Sequence, residues 1–233
     1  MVGSFHLSEN EVLQNSPGQG QGMLAIFCDL EEKWHQELRA WLSEDMFPAR
    51  LNAGFNSCAM YRAVSGVDSE IQAHIPGFLT LYECSSLADL YGEAYQSLRR
   101  DRDLRDTVMH EQMMGMERYT LSMTGPETQA DKRGFASFVF VDRFDLRPDD
   151  VQLFNAWYVT EYLSWCLKLP GLMRVRRYLA MEGAPRHFIL HEFADMAFHE
   201  DAIWRALRKA REWRLAGMAY GSLGLYGCSV KAP

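Results

Sequence analysis

A pattern of acidic, glycine and tyrosine residues occurs twice in this chain and limits the folds that are open to it. Glu44 precedes Gly54 by ten residues, and Glu161 precedes Gly171 by the same interval. A tyrosine follows each glycine after seven residues, Tyr61 in the first copy and Tyr178 in the second. The copies lie 117 residues apart (161 minus 44), a period that is too long for a solenoid and suits two small domains in tandem. We therefore predict an internal duplication.

The same order of secondary-structure elements is predicted in both copies. Residues 22–124 show the periodicity of a strand, a helix, two strands, a helix and a strand, and residues 135–233 repeat that order. The β-α-β-β-α-β order is that of a ferredoxin-like domain. Residues 1–21 are polar and glycine-rich, which predicts a flexible arm, and residues 125–134 are predicted to be the linker.

Several of the predicted strands are apolar on both faces. In the strand predicted at 135–144, Val139 and Val141 lie on one face, and Phe138 and Phe140 lie on the other. A ferredoxin-like sheet carries helices on one face only, so its other face needs a second sheet. The second repeat can supply that sheet. We therefore predict an α+β fold in which two tandem ferredoxin-like repeats form one pseudo-dimeric α/β barrel.

Composition and missing motifs exclude several classes of function. The net charge of −7 argues against a nucleic-acid partner, because phosphate binding needs concentrated Lys and Arg. No apolar run approaches the roughly 20 residues of a membrane helix, and no secretory signal is visible, so we expect a cytoplasmic protein without a membrane partner. The five cysteines are an odd number without C-x-x-C and are expected to be small buried residues. Motifs of Rossmann domains, P-loops, serine hydrolases and zinc proteases are also missing.

The sequence resembles the dimeric α/β-barrel superfamily over about residues 22–229. The resemblance rests on Trp157-Tyr158-Val159-Thr160-Glu161, then Pro170-Gly171-Leu172, then Arg176-Arg177-Tyr178, then a strand that ends in Leu190-His191-Glu192. Its small members include EthD-like proteins, antibiotic-biosynthesis monooxygenases, muconolactone isomerases and polyketide cyclases, so the resemblance implies a fold that hosts many reactions. Many members carry a histidine directly after the helix glutamate, where this chain has Asp45 and Tyr162. Chemistry that depends on that histidine is not expected here.

Polar residues of the second repeat are the candidates for catalysis. Tyr158 and Glu161 lie three apart in a predicted helix and are expected on one face, where partial burial would make the carboxylate basic. Arg177 lies on a mostly apolar strand face, so its charge needs an internal carboxylate or an anionic or enolate substrate. His187 and His191 are predicted on one strand face about 13 Å apart, too far to share a metal, but either could act as an acid or base. Core packing and internal ion pairs remain alternatives.

The catalytic set that we predict is His191, Glu161, Tyr158 and Arg177. The predicted substrate contacts are Trp157, His187, Trp41, Glu44, Tyr82 and His74. The tryptophans stand beside the acidic residues, Tyr82 matches His191 in the other repeat, and His74 lies in a loop special to repeat one. Because duplication frees one copy to lose its chemistry, one functional pocket is expected, in repeat two.

The function predicted from these features is proton transfer without a cofactor or metal, in an isomerase, cyclase or lyase. The expected partner is a small hydrophobic or aromatic molecule, because the interior is rich in methionine and aromatic residues. A homodimer stays open. The alternatives are a cofactor-free monooxygenase, a haem enzyme with His110 or His199 as axial ligand, and a binding protein without catalysis.

Overall fold

The computed structural model describes residues 21–64, 75–124, 134–215 and 222–232, which form two α+β repeats. Repeat one contains β1 (Gly22–Asp29), α1 (His35–Trp41), α2 (Phe47–Asn52), β2 (Phe55–Ala63), β3 (Phe78–Cys84), α3 (Glu93–Arg100), α4 (Leu104–Gln112) and β4 (Met114–Met123). Repeat two contains β5 (Phe138–Phe144), α5 (Val151–Trp157), α6 (Leu163–Cys166), β6 (Leu172–Glu182), β7 (His187–Phe193), α7 (Ala202–Leu215) and β8 (Ser222–Ala232). All but the last residue of the predicted arm, and nearly all of the predicted linker, lie outside the described residues.

The eight strands close into one barrel with the order β1-β3-β2-β8-β5-β7-β6-β4. Within each repeat the order is that of a ferredoxin-like sheet, β4-β1-β3-β2 in the first and β8-β5-β7-β6 in the second. The two sheets join where β2 pairs with β8 and where β4 pairs with β6, both antiparallel. Closure leaves no free strand edge. The prediction of a pseudo-dimeric barrel from two ferredoxin-like repeats is confirmed.

The duplication extends to irregular features of the helices. Helix α1 begins at His35 and α5 begins at Val151, 116 residues later, and both have seven residues. Each continues directly into a single π-helical turn, Leu42–Met46 in repeat one and Tyr158–Tyr162 in repeat two. The strands β2 and β6 begin 117 residues apart, so repeat two has gained one residue between its π-helical turn and Gly171. The helix residue that matches Glu161 is therefore Asp45, which corrects the sequence alignment on Glu44.

Two predicted strands begin at other residues than expected. The sequence predicts a broken helix from Leu87 to about Met114 and a strand from Glu117 to Met123. The helix is broken as predicted, because Asp103 accepts a hydrogen bond from the backbone N–H of Asp106 at 2.8 Å and so begins α4 anew. Helix α4 ends at Gln112, and β4 begins at Met114 rather than Glu117. The strand predicted from Phe135 begins at Phe138, because the carbonyl of Ala136 accepts a hydrogen bond from Tyr61 Oη at 3.0 Å instead of joining the sheet.

Side chains of each strand alternate between the inside of the barrel and the helix layers outside. The inside is an apolar core that includes Phe27, Leu81, Val141, Tyr178 and Leu190. The cavity left among these side chains measures about 10 Å³, which has room for about one water molecule. A separate apolar cluster lies between each sheet and its helices. Within the described residues, this cavity has no room for a ligand larger than water, whereas larger clefts lie on the helix side of the second sheet.

One end of the barrel interior holds a buried network of charged side chains. The guanidinium of Arg176 donates from Nε to Glu192 at 2.8 Å and from Nη1 to Glu83 at 3.1 Å. Arg174 donates from Nη2 to the other oxygen of Glu192 at 2.9 Å, and Ser57 donates to Glu83 at 3.1 Å. Two arginines and two glutamates balance each other in charge. Since Glu83 belongs to repeat one and Arg176 to repeat two, the network also connects the repeats.

Candidate functional site

A cleft of about 320 Å³ opens between α5 and the outer face of the second sheet. Its polar side chains come from α5, the π-helical turn, β6 and the start of β7, and apolar side chains form much of the remaining wall. The lining residues are Thr124, Val151, Asn155, Tyr158, Val159, Arg177, Leu179 and His187. The volume lies at the lower end of the range for small-molecule sites, so a ligand of one to three fused rings would fit the cleft.

Arg177 places a buried positive charge at the base of this cleft. Strand alternation turns Arg176 into the barrel and Arg177 outward to the helices, so the two neighbours lie in different environments. The guanidinium of Arg177 lies over the rings of Phe154 and Tyr158, 5.2 and 5.1 Å from their centroids, and the residue is 8% exposed. No carboxylate of the described residues lies within 4.0 Å of it. Burial lowers the pKa of Arg177, against the weaker opposing effect of the Tyr158 phenol.

Three residues that line the cleft each carry a polar atom that is buried from solvent and has no hydrogen-bond partner among the described residues. These atoms are Nε of Arg177, Oη of Tyr158 and Oδ1 of Asn155. A buried polar atom without a partner costs about 1–3 kcal/mol, and most proteins avoid it. Burial raises the pKa of Tyr158, so its hydroxyl keeps its proton and remains a donor. Three such atoms on residues of one cleft indicate a binding site whose ligand supplies the missing hydrogen-bond partners.

His187 is a neutral base at the edge of the cleft. Its ring stacks on Phe144, with the centroids 5.4 Å apart and the planes 13° from parallel. Burial and the nearby charge of Arg177 lower the pKa of His187 to about 4, although Asp145 acts in the opposite direction. Nδ1 of His187 lies 3.5 Å from Nη2 of Arg177, the outer limit of a hydrogen bond.

The π-helical turn separates Glu161 from this cleft, although the sequence places it three residues after Tyr158. A π-helical turn closes i→i+5 hydrogen bonds, so residues three apart no longer lie on one helix face. Tyr158 faces Arg177, whereas Glu161 is exposed and lies with Trp157 and Trp165 in a groove of about 150 Å³ beside α7. The burial that was predicted to make Glu161 basic is therefore not present. Trp157 lines this groove, not the cleft.

His191 is a core residue and does not reach the cleft. It shares the outer face of β7 with His187, as predicted, but Tyr162 and Trp204 enclose it completely. Its Nε2 lies 3.0 Å from Tyr162 Oη, and its Nδ1 lies 3.3 Å from the carbonyl oxygen of Phe140. Burial lowers the pKa of His191 to about 4, and the hydrogen bond with Phe140 opposes this shift. The predicted gathering of four residues is therefore reduced to Tyr158 and Arg177.

The buried histidine gives the protein an expected sensitivity to mild acid. The pKa of His191 is about 6.5 in an unfolded chain and about 4 in the fold, so below pH 6.5 the unfolded state binds more protons. Stability should fall as the pH drops through 6.5 and should level off below about 4. From pH 7 to pH 5 this one group contributes about 2 kcal/mol. We expect urea unfolding of His191→Gln to lose about that much of the pH dependence; an unchanged slope would contradict the assignment.

The candidates of repeat one have structural partners. Trp41 is buried with its ring 5.5 Å from that of His110. Glu44 is exposed and accepts a hydrogen bond from Arg105 Nη1 at 3.0 Å. Tyr82 is buried in the core between sheet and helices, against Phe47. The burial expected to make Glu44 basic is again not present. His74 lies outside the described residues.

Repeat one has apolar side chains in the places of Arg177, Tyr158 and His187. Met60 precedes Tyr61 in β2 as Arg177 precedes Tyr178 in β6, and the paired registers with β3 and β7 agree. By the same comparison, Leu42 stands in the place of Tyr158 and Phe78 in the place of His187. These three counterparts are each 3% exposed or less and belong to one apolar cluster. Three other lining residues have polar counterparts, namely His35, Arg39 and Arg62 in the places of Val151, Asn155 and Leu179. Among the described residues, repeat one therefore lacks the Arg177, Tyr158 and His187 group.

Asn155 is the cleft residue that the sequence reasoning missed. It lies one turn before Tyr158 on α5, at the spacing that brings two side chains onto one face. The signal available in the sequence was a polar residue three positions before Tyr158, directly after the apolar Phe154. The strand histidine His187, in contrast, was among the predicted substrate contacts, and it does line the cleft together with Arg177.

Possible metal and haem ligands in the described part of the chain are not gathered at the cleft. Within the described residues, no group of three or more His, Cys, Asp or Glu side chains is arranged to hold a metal ion. Nδ1 of His110 lies 2.9 Å from Oδ1 of Asp106, and neither His110 nor His199 lines the cleft, the groove or the barrel cavity. No helix among the described residues has the length and apolar character of a membrane span.

Comparison with known proteins identifies the fold through structure and not through sequence. No protein-family model matches the chain, and no curated protein matches it in sequence. Many solved structures match this chain, among them three that match at probability 1.00 and cover 91% of it. An anthrone oxidase-like protein has 13% identity, 92% of its own length covered and a TM-score of 0.58.

The second structure, from Lactobacillus acidophilus NCFM, carries a provisional assignment as a monooxygenase. It has 12% identity, 96% of its length covered and a TM-score of 0.56. The third is provisionally assigned as a chlorite dismutase and has 11% identity, 96% coverage and a TM-score of 0.53. At such identities the likeness establishes the fold alone. Together with the closed eight-stranded barrel, it establishes the fold as an α+β barrel built from two ferredoxin-like halves in one polypeptide.

Proposed function

We propose that this protein is an enzyme that removes a proton from a small aromatic, enolisable compound bound in the cleft of repeat two. The observation that carries the proposal is the buried Arg177, which has no carboxylate partner among the described residues and lies over the ring of Tyr158, whose hydroxyl also lacks a described partner. Donors fixed in a water-poor site stabilise a developing oxyanion far better than water does. In repeat one, Met60 and Leu42 stand in the places of Arg177 and Tyr158, so the chemistry is assigned to repeat two.

The proposed step begins with a carbonyl oxygen of the substrate held by Arg177 and Tyr158. The neighbouring C–H bond breaks, its proton goes to the unprotonated ring nitrogen of His187, and its electron pair moves onto the oxygen to form an enolate. The charge of the enolate offsets the new imidazolium beside Arg177. Because the pKa of His187 is about 4 in the empty cleft, the step suits an acidic carbon whose enolate is aromatic.

Deuterium release from anthrone labelled at its acidic methylene tests this step. Anthrone is a fused-ring ketone whose enolate is a fully aromatic phenolate, and it is the compound named for the anthrone oxidase-like structural neighbour. We expect the protein to speed the loss of deuterium to water under nitrogen, measured by mass spectrometry against a protein-free control. Release at the control rate would contradict the proposal.

Tyr158→Phe is expected to slow that release roughly tenfold, because it removes one hydrogen bond to the oxyanion. Tyr82→Phe is the matched control, since Tyr82 is an equally buried tyrosine on the helix side of repeat one. It should leave the rate unchanged. Equal rates for native protein and Tyr158→Phe would remove the hydroxyl from the mechanism.

The fate of the enolate separates two kinds of enzyme. A cofactor-free monooxygenase would pass it to oxygen, so that anthrone and O₂ give anthraquinone and water. The names of the first two structural neighbours favour this second candidate. An isomerase, cyclase or lyase would return the proton to the substrate or expel a leaving group without oxygen. Oxygen uptake in air, together with deuterium release, assigns the monooxygenase; deuterium release without oxygen uptake assigns the other class.

A further inference from the structure

We infer that the ligand of this cleft presents to Arg177 an oxygen that becomes anionic on proton loss, and carries a separate hydrogen-bond donor on the same aromatic body. A hydroxybenzoate mimics such a ligand, because its carboxylate stands in for the enolate oxygen. The inference rests on the proposed use of the cleft and specifies its substrate class. Each half of it follows from a different group of atoms in the cleft.

The anionic oxygen follows from Arg177. A buried charge is expensive unless an opposite charge and hydrogen bonds compensate it. Three other buried arginines are compensated by carboxylates, because Arg174 and Arg176 contact Glu192, and Arg143 contacts Glu117. Arg50 of repeat one lies over two aromatic rings, as Arg177 does, but it does not line the cleft, the groove or the barrel cavity of the described residues. Arg177 has two aromatic rings and a neutral histidine around it instead. A guanidinium with an unpaired Nε matches the geometry of a carboxylate, which accepts two parallel hydrogen bonds.

The donor follows from Asn155. Its Oδ1 is buried and accepts no hydrogen bond from any described residue. An anionic oxygen cannot satisfy it, because both atoms are acceptors. Tyr158 Oη can donate to the anion, so the remaining need is a hydroxyl or amine of the ligand that points to Asn155. Asn155 and Tyr158 are three residues apart on the same helix, so one small molecule can reach both.

The aromatic body follows from the walls and the size of the cleft. Val151, Val159 and Leu179 line it, together with the ring of Tyr158. A volume of about 320 Å³ admits one to three rings with their substituents. A purely aliphatic hydroxy acid would leave these apolar walls uncovered.

Calorimetric titration of the full chain with benzoate, phenol and the three isomers of hydroxybenzoate tests this ligand class. We expect at least one hydroxybenzoate to bind ten or more times more tightly than both benzoate and phenol. Arg177→Met should reduce its affinity to that of phenol. Asn155→Leu should reduce it to that of benzoate. Thermal unfolding of both variants checks that the fold is intact, and Arg177→Lys, which keeps the charge, should retain part of the affinity.

Two results would overturn the ligand class. One is that phenol or benzoate binds as tightly as every hydroxybenzoate, and the other is that none of the five compounds binds. These outcomes are distinct from failure of the proposed function. Tight binding of a hydroxybenzoate without any deuterium release from anthrone would preserve the ligand class and refute the enzyme, whereas release without a hydroxybenzoate preference would do the reverse.

Discussion

Replacing Glu192 by Gln is expected to lower the free energy of unfolding by about 3–5 kcal/mol, which is the usual cost of removing one partner from a buried ion pair. Glu192 is fully buried and accepts hydrogen bonds from both Arg174 and Arg176. Its pKa lies below the ordinary value, because the two arginines outweigh the effect of burial. The neutral amide would leave two arginines facing the single charge of Glu83.

Urea unfolding at pH 7 measures the effect. Glu111→Gln is the matched control, because Glu111 is exposed on α4 and its replacement should change stability by less than about 0.5 kcal/mol. A second variant, Glu83→Gln, should also be strongly destabilised, since Arg176 connects Glu83 to the same network. If Glu192→Gln and Glu111→Gln unfolded at the same urea concentration, the network would have no role in joining the repeats.

Replacing Arg177 by Met is expected to lower kcat/KM for anthrone deuterium release by about 10²–10³-fold, the range for loss of an oxyanion donor. Methionine fits because Met60 already occupies the matched position in repeat one, fully buried. The fold should therefore tolerate the change. The loss of rate would come from the missing positive charge.

Arg50→Met is the control for this variant. Arg50 is 6% exposed and lies over the rings of Tyr82 and Tyr95, 5.6 and 4.9 Å from their centroids, so it resembles Arg177 in burial and surroundings. It belongs to repeat one, however. We expect Arg50→Met to keep the native rate per folded molecule. Equal losses from both variants would place the effect in stability and not in the cleft.

The fold could be predicted from the sequence because the two copies of the duplicated unit keep similar residue types at equal spacings. The spacing of Gly54 and Gly171 from the following tyrosines survives, and both glycines have positive φ, 96° and 69°, where a side chain would be strained. Strands that are apolar on both faces required the second sheet. These are properties of local conformation and burial, which residue types report directly.

The site was predictable only in part, because its geometry depends on a departure from the α-helix. Arg177 on an apolar strand face stood out as a charge in need of a partner. Glu161 was predicted to lie near Arg177, because a regular helix would place Glu161 and Tyr158 on one face. The π-helical turn breaks that relation, and periodicity of 3.6 residues carries no trace of it. Asn155 is an ordinary polar residue by type, and only its unpaired Oδ1 atom in the structure identifies it as a candidate ligand contact.

The central claim is that one cleft, in repeat two, binds the ligand through Arg177. The most direct measurement is an NMR titration that follows the side-chain Nε–H resonances of arginine while 4-hydroxybenzoate, or whichever isomer binds most tightly, is added. Arg177→Met and Arg50→Met assign the two relevant peaks, and both Nε atoms lack a partner among the described residues. We expect the Arg177 peak to shift in proportion to occupancy while the Arg50 peak stays fixed. A ligand that saturates the protein and leaves the Arg177 peak in place, or moves the Arg50 peak instead, would contradict the account.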